Sequence, residues 1–489
     1  MTSPLIVAID QGTSSTKVIV VDSDGAVVAR GSAPLALLTP RPGWVEHRAV
    51  DIIASAHAAV AEAVRGLDSS RVVAVGISNQ RESLVLWDRT TGEAASPVLS
   101  WQDRRTVDLC EELLAAGHGL RVREVSGLPL DPMFSAAKAA WLIGEYDARR
   151  SGRYALGTVD SWLAWSLTGE HIADAGNASR TSLLDVDAGH WSQEMLDLFG
   201  VPGASMPRIV DSVGPLGQVR GLPGIADGTP LTSILGDSHA ALFAHAGWRA
   251  GVVKATYGTG SSVMGLASGD TTTSTGLCRT IAWKLPGEAP AVAWEANILS
   301  TGATLAWLAA LVGQAPGALA SIAESDSGGV VLVPAFNGLA APWWTPDAQA
   351  VLVGMSLATT RGHLARAALD STILQVADVV DAFAEAGVSV AELVADGGAS
   401  DNLDLMARQA GLLGQPVRVS AEPGLSALGA AHAAGLGAGL WSLRDLDAMP
   451  RPYESVAPGL DAAQAGALRQ LWRDALNRSI PARAPAASR

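Results

Sequence analysis

LIVAIDQGTSSTKVIVVDSDGAVVAR, residues 5–30, reads as a strand, a tight polar turn and a second strand. Leu5 to Ile9 is an unbroken apolar run of strand length, Val18 to Val21 is another, and Gln11 to Thr16 between them are small or polar, with Gly12 at the bend. The pattern predicts a β-hairpin. Small side chains at its tip let a ligand approach the backbone, and the hydroxyls of Thr13, Ser14 and Ser15, with Thr16 and Lys17, supply donors suited to phosphate oxygens. Asp10 stands where the first strand ends, so a carboxylate faces whatever the tip holds. Beside phosphates, Mg²⁺ held by one or two carboxylates is the usual hard cation. Ordinary hairpin turns use the same residue types, so these residues alone leave a plain structural turn equally open.

At 489 residues the chain exceeds the size at which one core stops growing, so two domains are expected, and a 48% hydrophobic content is ample for two cores. No apolar run reaches the roughly 18 residues that span a bilayer, and MTSPLIVAID has no basic region ahead of its short apolar stretch. The expectation is a soluble, cytoplasmic protein without a membrane partner. Cys110 and Cys278, the two cysteines, lack metal-ligand spacing and read as small buried hydrophobes in a reducing compartment. A net charge of −14 argues against a nucleic-acid partner and draws attention to the few cations in loops.

Outward from the hairpin, RPGWVEH (41–47) is a turn before helical periodicity from Val50 to Val64, and the strand Val72 to Ile77 ends in Ser78-Asn79-Gln80-Arg81-Glu82. Ligands in α/β sheets collect where strands end, so Arg81 beside Glu82 is a candidate polar contact, with a solvated ion-paired loop as the alternative. Trp101, in Ser100-Trp101-Gln102-Asp103-Arg104-Arg105, offers an apolar wall or an ordinary core residue. The segment 106–150 reads as mainly helical, interrupted by a loop from Ser126 to Asp131. Asn177-Ala178-Ser179-Arg180 reads as the opening of a short strand with a structural role.

Leu231 to Leu235 is a strand that ends in Gly236-Asp237-Ser238-His239, just before a helix, which aims the Asp237 carboxylate beside a positive helix end; an N-cap would look the same. From Gly251 the opening pattern repeats. Val252 to Tyr257 is a strand, Gly258-Thr259-Gly260-Ser261-Ser262 a small-residue turn and Val263 to Leu266 the return, an internal duplication at the level of the motif. Gly302 follows in a loop-to-helix stretch, a long amphipathic helix runs from His363 to about Ala384, and Leu393 to Ala395 leads into Asp396-Gly397-Gly398-Ala399-Ser400-Asp401-Asn402, where paired glycines permit close backbone approach. The residues from about Ile480 onward read as a disordered tail.

Taken together, DQGTSSTK, RPGWVEH, SNQRE, WQDRR, DPMFSAAK, GTVDSWL, NASRT, GDSHAALF, YGTGSS, VPAFNGLAAPWW and DGGASDN resemble, in order and over about residues 6–441, the FGGY family of carbohydrate kinases, with motifs similar to those of its glycerol kinases. The resemblance implies an α/β, actin-like ATPase fold of two ribonuclease-H-like domains around a central cleft, with an N-terminal domain at 1–246 that binds the acceptor, a C-terminal domain at 247–480 that binds the nucleotide, and a tail at 481–489. It implies ATP and Mg²⁺ as cofactors, a small polyol or sugar as substrate, and a homo-oligomer, since similar enzymes form dimers or tetramers.

Residue by residue, Asp237 falls on the catalytic base and Asp10 on the residue holding Mg²⁺ through water. Arg81 and Glu82 fall on hydroxyl-binding positions and Trp101 on the apolar wall of the acceptor. Thr13, Ser14, Ser15, Lys17 and Thr259 fall on phosphate contacts, and Gly302, Gly398 and Asn402 on the outer part of the nucleotide. Three acceptor-side positions depart from glycerol kinases: Met133 replaces a tyrosine, Ser238 a glutamine and Ser262 a phenylalanine; on the nucleotide side Ala306 replaces a glutamine. The expectation is therefore a glycerol kinase-like enzyme, with another polyol or a ketose such as erythritol or xylulose as the alternative acceptor. An actin-like sensor or scaffold is the alternative of another class; it would have no need of the general base that Asp237 supplies.

Overall fold

Alternation along Leu5–Gln11 (β1) sends Leu5, Val7 and Ile9 into one buried cluster with the helix Ala49–Ala63 (α1), which leaves Ile6, Ala8 and Asp10 on the opposite face. The computed structural model describes residues 3–146, 152–267 and 276–481; of the expected tail, residues 482–489 lie outside them. The expected hairpin is present: β1 pairs antiparallel with Ser15–Asp22 (β2), in a register that sets Asp10 opposite Lys17, and the strands run further into the tip than the sequence indicated. Gly12 N–H donates to Ser15 O at 3.0 Å and closes the turn.

The chain forms two compact units, Met1–Ala246 with Arg279–Ala293 and Gly424–Pro450, and Gly247–Cys278 with Trp294–Pro423 and Arg451–Arg489. The first is built on a six-stranded sheet. Val27–Pro34 (β3) pairs with β2, while Val72–Asn79 (β4) runs parallel to β1, and Val213–Gln218 (β5) and Pro230–Gly236 (β6) complete the order β5-β6-β4-β1-β2-β3. The register aligns Gln11 with Asn79 and Asn79 with Gly236, so three parallel strands end in one row. Placing β4 parallel beside β1 needs a crossover, and α1, which follows β3 in the chain, supplies it.

Sequence-distant material covers the other face. The helix Leu425–Gly437 packs on β1, β4 and β6 and on the helix Asp237–Ala244 (α2). Ser233 and Thr232 hydroxyls donate to the Ala430 and Ala434 carbonyls at 2.9 Å. Small residues permit that approach: a Cβ on Gly429 would lie 1.8 Å from Ala240 O, and one on Gly76 would lie 2.6 Å from Ala430 O.

In the second unit Val252–Tyr257 (β7) pairs antiparallel with Ser261–Leu266 (β8) and parallel with Glu392–Asp396 (β9), which runs parallel to Val417–Ser420 (β10). A returning strand, a first strand and two parallel neighbours thus stand in the order of the first unit, as the repeated motif predicts. Its core packs the helix Arg361–Glu385, two residues longer at its start than the periodicity indicated, against that sheet. Both cysteines are buried and neither forms a disulfide, and burial pushes the Cys110 thiol up to about 12, so it stays protonated. Among the described residues no single helix is long and apolar enough to cross a membrane.

One local expectation is corrected. Ala175–Ser179 is a short helix rather than the opening of a strand, because Asp174 accepts from the Gly176 and Asn177 amides at 2.9 and 2.8 Å and caps it.

Gly429→Ala separates propensity from packing. Helix propensity alone predicts a gain of about 1 kcal/mol, but the added methyl meets a backbone carbonyl and not a yielding side chain. The expected outcome is a loss of about 2 kcal/mol, within the usual range for overpacking, read as a lower midpoint in urea unfolding.

Candidate active site

Asp237 begins α2 where β6 ends, and Arg81 lies in the loop that follows β4, one residue past its start. The flush ends of these strands bring the two together: Arg81 Nε donates to Asp237 Oδ1 at 3.1 Å. Arg81 is 5% exposed and Asp237 40%, so a buried guanidinium holds one oxygen of a carboxylate that stays open to solvent on its other side. Gly236 is required by space. A Cβ there would lie 2.4 Å from Arg81 Cδ.

Glu82 lies beside Arg81 with φ +62°, a left-handed conformation that costs a non-glycine residue on the order of 1–3 kcal/mol. Two buried partners maintain it. Ser135 Oγ donates to the Glu82 carbonyl at 3.0 Å, and Arg180 Nε donates to Glu82 Oε1 at 2.7 Å. Arg180 is fully buried and stacks over Phe134, 5.2 Å from the ring centre. The sequence reading treated Arg180 as structural; its signal was a lone arginine in a small-residue stretch of an acidic chain.

Met133 sits in a loop held from beneath by Lys138, a fully buried ammonium that donates to the carbonyls of Pro132 at 2.8 Å, Met133 at 2.5 Å and Phe134 at 3.3 Å. Burial lowers Lys138 to about 8. Trp101 donates its indole N–H to Thr13 Oγ1 at 3.0 Å, so the expected apolar wall is tied directly to the hairpin tip. Ser14 and Lys17 are exposed there and Ser15 is half-buried.

Asp10 accepts from Ser78 Oγ at 2.9 Å. Burial and then the charge of Asp237 raise its carboxyl to about 6, against smaller opposing effects of Ser78 and Lys17. An anion that its surroundings disfavour at neutral pH suits a cation. Among the described residues no group of three or more His, Cys, Asp or Glu side chains could hold a metal.

Behind these residues lies a polar network that the sequence did not reveal. Asn79 and Asn177 exchange side-chain amide hydrogen bonds at 3.0 and 3.1 Å, and Asp174 accepts from Asn177 and from Ser212 Oγ. The Asp174 amide donates to Asp160 Oδ2 at 3.2 Å, and burial beside Asp174 raises Asp160 to about 7.

In the second unit the expected nucleotide residues gather at the end of β7. Gly302 N–H donates to Gly258 O and Ala303 N–H to Thr259 O, both at 3.0 Å, and a Cβ on Gly302 would lie 2.5 Å from Gly258 O. The Gly397-Gly398 turn abuts the same strand, since a Cβ on Gly397 would lie 2.5 Å from Tyr257 O. Asn402 caps the next helix, accepting from Leu405 N–H at 3.1 Å. The Ser262 hydroxyl donates to the buried Glu295 at 3.3 Å, and Lys254 Nζ lies 3.5 Å from it.

Residues 5–244 match the model of the FGGY family of carbohydrate kinases, N-terminal domain, and residues 253–438 match that of its C-terminal domain. The chain belongs to the FGGY family of carbohydrate kinases. Its similar relatives include the glycerol kinases of Pseudarthrobacter chlorophenolicus, 39% identical over 97% of this chain and 98% of its own length, and of Methylorubrum extorquens, 41% identical over 97% of each. A crystal structure of Plasmodium falciparum glycerol kinase with ADP superimposes with a TM-score of 0.91 at 28% identity, over 98% of this chain and 99% of that one. A xylulose kinase from Rhodospirillum rubrum gives 0.84 at 27% identity, over 96% and 97%. The FGGY kinase thus has the expected actin-like α/β fold.

Asp10 contributes to the pH dependence of this site. A carboxyl raised from 3.8 to about 6 on folding favours the folded state at low pH and loses that advantage as pH rises through 6. With the metal chelated, Asp10→Asn is therefore expected to be more stable than the native chain at pH 8, by about 1–3 kcal/mol, with the two converging near pH 4. Denaturant midpoints at both pH values check it.

Proposed function

We propose that this FGGY kinase transfers the γ-phosphoryl group of ATP to a hydroxyl of a small polyol, with glycerol, giving glycerol 3-phosphate, as the first acceptor to test. The observation that carries the reading is the pair of Arg81 and Asp237 at aligned strand ends, one buried and one open. An alcohol is a poor nucleophile at neutral pH, and a positioned carboxylate accepts its proton as the new P–O bond forms. Asp237 has that role, with Arg81 holding one oxygen so that the other meets the acceptor. Arg81 and Glu82 bind acceptor hydroxyls, Glu82 as an acceptor-only group fixed by Arg180, and Trp101 and Met133 contribute apolar surface.

Phosphoryl transfer asks the protein mainly to position its reactants and to neutralise charge. On this reading Thr13, Ser14, Ser15, Lys17 and Thr259 contact the phosphates, and Gly302, Gly398 and Asn402 contact the rest of the nucleotide. Asp10 would hold Mg²⁺ through water, and the bound ion supplies neutralisation of phosphate charge.

A longer acceptor is the second reading, and one observation favours it. Where glycerol kinases carry an aromatic residue, Ser262 presents a hydroxyl tied to Glu295 and close to Lys254. Sites built on hydroxyl contacts discriminate strongly when those contacts change.

Asp237→Asn is expected to lower turnover at least 100-fold while nucleotide affinity stays within about threefold, measured by ADP release and by nucleotide titration. Wild-type turnover in the variant would remove Asp237 from its role. Across glycerol, erythritol, the pentitols, dihydroxyacetone and xylulose, Ser262→Phe combined with Met133→Tyr is expected to shift the turnover ratio toward glycerol. An unchanged ratio would detach those positions from acceptor choice.

A further inference from the structure

His239 is fully buried one side chain behind the Arg81 and Asp237 pair, in a slot made by two glycines. A Cβ on Gly236 or on Gly176 would each lie 3.0 Å from its Nδ1. Its Nε2 lies 3.3 Å from Arg81 Nη1. Arginine has only donors, so this contact is a hydrogen bond only if Nε2 is the acceptor. Such a bond requires a neutral ring with its proton on Nδ1.

We propose that His239 is a positioning residue: as a neutral imidazole it holds Nη1 of Arg81, which in turn aims Nε at Asp237, and protonation of the ring turns that bond into repulsion between two cations. The inference rests on the reading of Asp237 as the base. His239 and Asp237 thus both contact Arg81. Losing the His239 contact loosens the placement of the guanidinium against the carboxylate, and with it the orientation in which Asp237 meets the acceptor.

The surroundings favour the neutral ring. Strands β4 and β6, packed against α2, carry no titratable side chain of their own, and the loop after β4 contributes Arg81 and Glu82, the latter paired with Arg180. The helix Ala175–Ser179 contributes its cap Asp174, whose Oδ2 lies 2.9 Å from the Cβ position of Gly176 and which is already engaged by Ser212 and Asn177. The strand Cys278–Trp283, whose Ile281 carbonyl borders the same position, contributes Arg279, which pairs with Asp187. The covering helix Leu425–Gly437 contributes His432, and α2 itself contributes Asp237, with His245 just past its end. Arg81 is the cation in contact with the ring.

Two measurements test it. In protein labelled with ¹⁵N-histidine, the ring signal that disappears in His239→Gln is expected to show the Nδ1–H neutral tautomer at pH 7.5. An Nε2–H tautomer or a protonated ring would overturn the proposal, whatever the enzyme's acceptor proves to be. Turnover is then followed from pH 5.5 to 8.5 at saturating Mg·ATP with the acceptor turned over best. His239→Ala is expected to lower kcat at least tenfold at pH 8, the size of one lost hydrogen bond to a charged group. His239→Gln, whose amide oxygen accepts from Arg81 and does not titrate, is expected to recover to within about threefold of the native enzyme and to lose part of its acid limb. Asp10 is present in all three proteins, so the difference between profiles belongs to residue 239. An acid limb unchanged in His239→Gln would overturn the switch, and an Ala variant as fast as the native enzyme would overturn the positioning role. If the native protein turns over no acceptor, the kinase reading fails and the tautomer decides the inference by itself.

Discussion

The site of the first unit depends on one constraint, the backbone register of three parallel strands. Gln11 stands opposite Asn79, and Asn79 opposite Gly236, so β1, β4 and β6 stop in the same row and each releases its next polar residues at one edge of the sheet. Asp10, Arg81 and Asp237 come from positions more than 60 residues apart, yet no side-chain attraction has to gather them. Hydrogen-bonded ladders do so, and a slip by one residue would turn Asp10 into the core and an apolar neighbour toward solvent.

On that frame, polar groups are held by giving each a partner under the sheet edge. Burying a charge is costly unless it is paired, and here the pairing is asymmetric. Arg180 and Glu82 are both buried and pair through Nε and Oε1; Arg81 is buried while its partner Asp237 remains accessible. On the proposed reading the accessible member does the chemistry, and the buried Arg81 orients it. Asp10 is the exception: an acid raised to about 6 by burial and by Asp237 is the group whose neighbourhood asks for a cation.

Much of this was legible in the sequence because it lies in short contiguous signals. The hairpin at 5–22, its repeat at 252–266 and the Gly-Asp before a helix at 236–237 are local patterns of apolar runs and small residues, and the structure has each of them. What was not legible is pairing across distance. Arg180 meets Glu82 and Asn177 meets Asn79 across 98 residues, and Trp101 reaches Thr13 across 88. Nothing in Asn-Ala-Ser-Arg says which residue it will face, and the capping carboxylate of Asp174 made a helix where the segment read as a strand. Likewise Ser262 in isolation reads as a vacated aromatic position, whereas Glu295, 33 residues on, converts it into a polar contact.

The helix Leu425–Gly437 has a consequence for how the protein is made. It closes one face of the sheet that begins at Leu5, with Gly429 against the Ala240 carbonyl and Ala430 against Ser233. On the ribosome, the strands that carry Asp10, Arg81 and Asp237 therefore emerge long before their cover, and some 180 further residues must be synthesised before that face is shielded from water. A nascent chain stopped near Ala246 holds every residue of the Arg81 and Asp237 pair but presents an open apolar face, the condition under which growing chains aggregate or recruit chaperones. Most of the second unit is synthesised between the sheet and its covering helix, which makes completion of the first unit a late event of translation.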